Sequence, residues 1–184
     1  QENPWGTIQK AVDECPRLNT ETDPYIICLD NGTYEEEVTV YGKDYIQFRA
    51  TNETPNITIK GTFYIDRTIT CSIATPITID GGNSGKNILL VSNNSLLTVG
   101  STSLLTITGT GSSNGIVVAQ GSRVNAVNCS ISGINNGCVT SGGSILPIQG
   151  SLTCENLAIG LYSMGGGIIC YANATFTNVT TKTH

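Results

Sequence analysis

The sequence predicts an all-β fold, a single-stranded right-handed parallel β-helix with an N-terminal capping α-helix. Three observations support this prediction. One segment at the start of the 184-residue chain has helical periodicity, and the rest consists of short apolar runs separated by Gly, Asn, Ser or Pro. No second helical segment separates these runs, which excludes a doubly wound α/β sheet. The C-terminal third repeats one pattern at intervals that suit the coils of a β-helix.

The opening segment, residues 5–15, is the predicted helix. Thr7 can cap its N-terminus, and Pro16 stands where the pattern stops. One apolar stripe runs along it at helical spacing: Ile8, Ala11, Val12 and Cys15. A β-helix exposes unpaired strand edges at its end, so we expect this helix to cover the first coil. Residues 1–24 are therefore assigned to a capping helix and linker.

Residues 25–184 are predicted to form roughly seven coils of one domain. The first strand-like runs are Tyr25–Leu29, Glu37–Val40, Tyr45–Phe48, Ile57–Ile59, Ile77–Ile79, Ile88–Val91, Leu96–Val99 and Leu104–Ile107. Similar segments then begin at Gly115, Gly137 and Gly167, with spacings of 22 and 30 residues. Coils stack at about 4.8 Å, which gives a rod on the order of 35 Å long.

Equivalent positions in these repeats are expected to stack as ladders inside the coils. Two ladders are predicted: one of Ile116, Cys138 and Ile168, and one of Val118, Thr140 and Cys170. Ser122 is expected to point outward or to lie in a turn. Cys129 and Cys154 occupy similar places in neighbouring coils and are the best disulfide candidates, although two stacked free thiols are equally acceptable.

Composition excludes several classes of function. Only 12% of residues are charged and the net charge is −5, which argues against nucleic acid as a partner. No apolar stretch is long enough for membrane insertion. The chain has no CxxC motif and its one histidine is the last residue, so zinc and iron–sulfur sites are not expected. We expect no cofactor.

Two parts of the chain resemble known β-helix proteins. Residues 7–40, with TIQKAVDECP followed by IICLDNGTYEEEVTV, resemble the opening of right-handed β-helices of the pectin-lyase-like superfold. Residues 115–178, with NGIVVAQGSRVNAVN and GGGIICYANATFTN, resemble coil repeats of bacteriophage tail-fibre and tailspike proteins. This resemblance implies the fold and a place on a virion. Relatives include polysaccharide lyases, pectin methylesterases, depolymerases and non-catalytic stalks, so function must be argued from the site.

The inventory of acidic residues argues against an active site. Enzymes on this fold use carboxylate pairs, or Ca²⁺ with a basic residue, yet 13 of the 14 Asp and Glu residues lie at or before Asp80. The remaining catalytic candidates are Asp66, Arg67 and Asp80. Because adjacent strand residues point to opposite faces, Asp66 and Arg67 could both be exposed only in a turn. Glu35, Glu36 and Glu37 are the candidates for a metal site, although such a charge run is usually a solvated face. We therefore predict no catalytic residue and no metal site.

These observations predict a non-catalytic structural or adhesive virion-surface protein, such as a phage tail fibre, spike or capsid decoration. It would present loops to a host surface polysaccharide or to other virion structural proteins. One alternative is a polysaccharide lyase or depolymerase with carboxylates before Asp80. The other is a secreted extracellular filament or cell-surface protein, which seven N-x-S/T sequons, the cysteines and the non-Met start favour.

Self-association as a homotrimer is also predicted. The run from Ser92 to Ser113 has no charged residue and alternates aliphatic residues with Ser, Thr and Asn. Such a face suits flat packing around a three-fold axis, which closes the assembly. Lys at Thr98 and Thr106 is expected to weaken this contact if these residues face the axis.

Overall fold

The computed structural model describes residues 6–100 and 103–183, which form a parallel β-helix of about seven turns. Each coil contributes one strand to each of three stacks, which we name sheets A, B and C. Sheet A contains β1 Tyr25–Leu29, β4 Ile46–Ala50, β7 Cys71–Ile73, β10 Leu96–Val99 and β13 Arg123–Asn125. Sheet B contains β2 Gly32–Tyr34, β5 Ile57–Lys60, β8 Ile77–Asp80, β11 Leu104–Thr108 and β14 Asn128–Ser132. Sheet C contains β3 Val38–Tyr41, β6 Phe63–Asp66, β9 Asn87–Ser92, β12 Asn114–Val118 and β15 Asn136–Thr140.

The last two coils are continuous strands that run through all three sheets. They are β16 Ile145–Ser163 and β17 Ile168–Thr183, which pair in parallel along most of their length. The all-β architecture is therefore confirmed. Within the described residues, no helix has the length and apolar character needed to cross a membrane.

The core lies inside the coils because alternate residues of each strand point inward. In β3, Val38 and Val40 are fully buried, whereas Thr39 and Tyr41 are exposed. The rings of Phe48 and Phe63 pack edge to face across the interior, with centroids 5.3 Å apart. Stacked inward positions form continuous apolar ladders, which stabilise neighbouring coils against each other.

Helix α1, Ile8–Glu14, covers the first coil as predicted. Thr7 caps it by accepting a hydrogen bond from the backbone N–H of Lys10. The apolar stripe is buried at Ile8, Ala11, Val12 and Cys15. The predicted start at Trp5 lies outside the described residues, as do residues 101, 102 and 184.

In each predicted ladder, the pairing of the first two residues is confirmed and the pairing with the third residue is wrong. Ile116 pairs with Cys138, and Val118 pairs with Thr140. Cys138 and Thr140 continue to Leu161 and Ser163, because the next strand of sheet C lies inside the uninterrupted β16. The segment after Gly167 belongs instead to sheet A, where Ile168 pairs with Ile145 and Cys170 with Pro147. The repeated glycine lies near the start of a strand in different sheets, because Gly115 and Gly137 are inside strands of sheet C whereas Gly167 precedes a strand of sheet A.

Two further expectations about outward positions are corrected. Ser122 is 1% exposed, and its hydroxyl accepts a hydrogen bond from the backbone N–H of Ser95 at 3.1 Å. Its backbone N–H closes a turn on the carbonyl of Ala119, as the turn alternative requires, whereas its side chain lies in a buried hydroxyl stack before sheet A and does not point outward. Thr98 lies in sheet A and Thr106 in sheet B, so one flat interface cannot contain both.

Candidate functional site

The three consecutive glutamates diverge to three different partners. Glu36 turns back to the helix, where its carboxylate accepts hydrogen bonds from the backbone N–H groups of Ile8 and Gln9, both at 2.8 Å. Glu35 forms an ion pair with Lys60, and Glu37 forms one with Lys86. The hydrogen bond and charge of Glu37 raise the pKa of Lys86 above its ordinary value. In the described ranges, no group of three His, Cys, Asp or Glu side chains is placed to hold a metal ion.

Asp80 lies apart from the other two catalytic candidates. It ends β8 in sheet B, and its Oδ1 accepts the backbone N–H of Gly82 at 3.0 Å. Its register neighbours are Lys60 and Thr108. The structure therefore gives Asp80 a turn-capping contact and does not bring it together with Asp66, which ends β6 in sheet C.

Asp66 and Arg67 sit at a corner, as the turn alternative requires. Asp66 is the half-buried last residue of β6, and Arg67 follows it with a left-handed backbone, φ of +52°, and an exposed side chain. Asp66 Oδ1 accepts a hydrogen bond from Asn93 Nδ2 at 2.7 Å. Arg67 Nη1 donates to the Tyr41 hydroxyl at 2.9 Å, and its guanidinium carbon lies 5.6 Å from the centre of that ring. We call these four residues the Tyr41 cluster.

The members of the Tyr41 cluster come from three consecutive coils. Tyr41 and Asp66 are direct register neighbours in β3 and β6, and Asn93 follows β9. The sequence singled out Asp66 and Arg67 but missed Tyr41 and Asn93, which lie 26 residues from Arg67 and 27 residues from Asp66. The number of residues per coil in this part of the chain, had it been known, would have identified Tyr41 and Asn93 as neighbours of Asp66 and Arg67.

A second surface is a row of hydroxyl groups along the outside of sheet B. Seven register-matched residues form this hydroxyl file: Thr33, Thr58, Thr78, Thr106, Ser130, Thr153 and Thr175. The row lies beside a shallow groove of about 150 Å³ whose apolar walls include Pro55, Pro76 and Leu104. Of the face that the sequence predicted between Ser92 and Ser113, Thr106 belongs to this row, whereas Thr98 lies on sheet A.

Comparison with known proteins does not assign a function to either surface. No protein-family model, curated protein or solved structure matches this chain. The β-helix expected from residues 7–40 and 115–178 is confirmed as an architecture. The assignment to phage fibres and tailspikes stays a prediction.

The two disulfide candidates are free thiols in the structure. Cys129 pairs with Leu152 and Cys154 with Ile131, so the two cysteines are offset by two residues in neighbouring coils. Such an offset separates Cα atoms by about 8 Å, beyond the ~7 Å that a disulfide spans. The register therefore disfavours this disulfide. Burial raises the pKa of each thiol to about 12, which keeps both protonated and chemically inert.

Proposed function

We propose that this protein is a non-catalytic structural and adhesive module of a virion surface, such as a phage tail fibre, spike or decoration. The observation that carries the proposal is the hydroxyl file, a straight row of seven hydroxyl groups on the outside of sheet B. Its members repeat at the coil spacing of about 4.8 Å. The resemblance of residues 115–178 to phage fibre repeats supports the location.

The rigidity of this face suits adhesion. The inward neighbours of the file in sheet B, such as Ile59, Ile79 and Ile107, are fully buried. Their stacking fixes the strands, so the hydroxyls are ordered before a ligand binds. A preordered surface loses little conformational entropy on binding, which favours a repetitive partner such as a polysaccharide.

The contacts of the acidic residues support a non-catalytic role. Glu36 holds the capping helix, Glu35 and Glu37 are in ion pairs, and Asp80 caps a turn. A glycan-cleaving pair needs two carboxyl groups on opposite sides of one bond. These carboxylates instead stabilise the first coils.

We also propose that the protein forms a homotrimer through sheet A. The outward residues Gln47, Ser72, Thr98 and Asn125 form an uncharged row in register there. Packing through this row leaves sheets B and C free for a ligand. A closed three-fold ring satisfies the usual symmetry of homo-oligomers.

Co-sedimentation with insoluble polysaccharides, combined with an assay for reducing and unsaturated ends, tests the adhesive role. We expect saturable binding without release of new ends. Release that Asp66→Asn or Asp80→Asn abolishes would support the depolymerase alternative. No binding to any neutral or acidic polysaccharide would contradict the proposal. The mass of the natural protein tests the secreted alternative, because glycans on exposed sequon residues such as Asn52 would increase it.

A further inference from the structure

The Tyr41 cluster combines an exposed aromatic ring with three polar side chains of different hydrogen-bonding character. Tyr41 keeps 50% of its surface exposed, and Arg67 is exposed beside it. Asp66 supplies carboxylate oxygens, and Asn93 donates to one of them. The cluster therefore presents an apolar surface, acceptors and donors within one small area of the outer side of sheet C.

The backbone at Arg67 sets where its side chain leaves the coil. The register-matched residues at this corner in successive coils all lie in the left-handed region: Gly42, Arg67, Asn93, Gln120, Gly142 and Gly165. Arginine is disfavoured in this conformation, whereas glycine adopts it without strain. The left-handed backbone of Arg67 directs its side chain to the hydroxyl of Tyr41, and the register-matched Asn93 of the next coil reaches Asp66 from the same corner.

Arg67 also retains unused hydrogen-bonding capacity. A guanidinium has five N–H donors, and one of the Arg67 nitrogens donates to the Tyr41 hydroxyl. Among the described residues, the two lysine–glutamate pairs are the ion pairs, and Arg67 belongs to neither. Arg67 is exposed and Asp66 is half-buried at the same corner, which suits a ligand with adjacent hydroxyl groups.

We propose that the Tyr41 cluster binds one pyranose ring of a neutral glycan. This inference rests on the proposed adhesive function and adds to the hydroxyl file of sheet B a site on sheet C that recognises one sugar unit of the ligand. Asp66 accepts from one sugar hydroxyl and Arg67 donates to its neighbour, while the ring of Tyr41 packs against the apolar face of the sugar. The charges of Asp66 and Arg67 cancel locally, and the chain carries a net charge of −5. An acidic sugar therefore gains little from Arg67 and is repelled by Asp66.

Arg67→Gly is the most informative variant. Glycine relieves the left-handed backbone and removes the guanidinium, so the chain should fold at least as stably while its affinity for neutral glycan falls at least tenfold. Gln120→Gly is the matched control, because Gln120 has φ of +56° at the same corner two coils later and lies outside the cluster. We expect its affinity to equal that of the unmodified protein. Tyr41→Ala should weaken binding as strongly as Arg67→Gly.

Binding is measured by co-sedimentation with insoluble mannan, galactan and glucan, and with polygalacturonate as the acidic probe. Folding of each variant is checked by its thermal midpoint. Loss of binding in Arg67→Gly and Tyr41→Ala, with an unchanged midpoint, supports the inference. If both variants bind like the unmodified protein, the cluster is not the site, although the adhesive function stands. Preference for polygalacturonate contradicts the neutral ligand class. Failure of the unmodified protein to bind any of the four probes contradicts the adhesive function itself.

Discussion

The side-chain amide of Gln9 satisfies both backbone hydrogen-bonding groups of Thr39. Gln9 Oε1 accepts the N–H of Thr39 at 2.6 Å, and Gln9 Nε2 donates to the carbonyl of Thr39 at 3.2 Å. A helical residue thus takes the place that a neighbouring strand residue would have along the edge of β3. Together with Glu36, which caps the helix from the first coil, it fixes the helix over the end of the solenoid.

Gln9→Ala should therefore destabilise the capped end. Both groups of Thr39 would lose their partner, although water can reach them, so we expect a loss of roughly 1 kcal/mol in the free energy of unfolding. Urea unfolding measures this loss. Glu14→Ala, an exposed change on the same helix, should lie within about 0.5 kcal/mol of the unmodified protein. Equal effects of the two changes would argue against the role assigned to Gln9.

Charges placed inside the coils should be strongly destabilising at two positions. Ile116→Asp puts a carboxylate into the apolar stack, and Ser122→Asp puts one into the buried hydroxyl stack. We expect each to lower the free energy of unfolding by several kcal/mol. Ser112→Asp, in an exposed turn, should change it little. A neutral Ser122→Asp would show that this corner is open to water.

The cysteines should separate into reactive and protected groups. Cys28 and Cys170 are exposed on sheet A, whereas the other five cysteines are buried: Cys15, Cys71, Cys129, Cys138 and Cys154. Alkylation at pH 8, followed by mass spectrometry, should leave the five buried thiols intact, and should modify Cys28 and Cys170 rapidly in protein diluted until the trimer dissociates, because both lie on the face that the trimer covers. A Cys129–Cys154 disulfide would appear as a mass loss that a reducing agent reverses, and would contradict the register of β14 and β16.

Stability should fall at alkaline pH because of the same buried thiols. Burial raises the pKa of Cys129 and Cys154 from 9.0 to about 12 in the folded protein. Between these values the unfolded chain loses protons that the folded chain retains, so the free energy of unfolding falls as pH rises. The free energy of unfolding falls by up to about 1.4 kcal/mol per pH unit for each thiol. Urea unfolding at pH 8 and pH 10 measures it, and Cys129→Ala should reduce the difference. An equal fall in that variant would contradict this cause.

The trimer proposal places Thr98 in the interface and Thr106 outside it, although the sequence made both candidates for the same interface. Thr98→Lys introduces three positive charges around the axis and should weaken the trimer, because Thr98 lies in the row on sheet A. Thr106→Lys, on sheet B, should leave the trimer unchanged. Light scattering measures both masses. A monomer at micromolar concentration in the unmodified protein, or dissociation by Thr106→Lys alone, would contradict packing through sheet A.

The sequence predicted the coils well because the alternation of buried and exposed residues marks each short strand. It predicted their register less well. Residues 145–163 run through all three sheets as one strand, bent by a register shift between Ile148 and Ser151 and by the left-handed Asn156, so the continuation of Cys138 to Leu161 could not be seen. Two of the four residues of the Tyr41 cluster, Asp66 and Arg67, could be identified from the sequence because they are adjacent. Their partners could not be identified, because the number of residues per coil differs from one coil to the next.

Labelling of intact virions with an antibody against this chain tests the central claim most directly. The antibody should bind the outer surface of purified particles in electron micrographs, with copies at positions that repeat from particle to particle. Particles that stay unlabelled, with the chain recovered only as a free secreted protein, would contradict a virion-surface adhesive role.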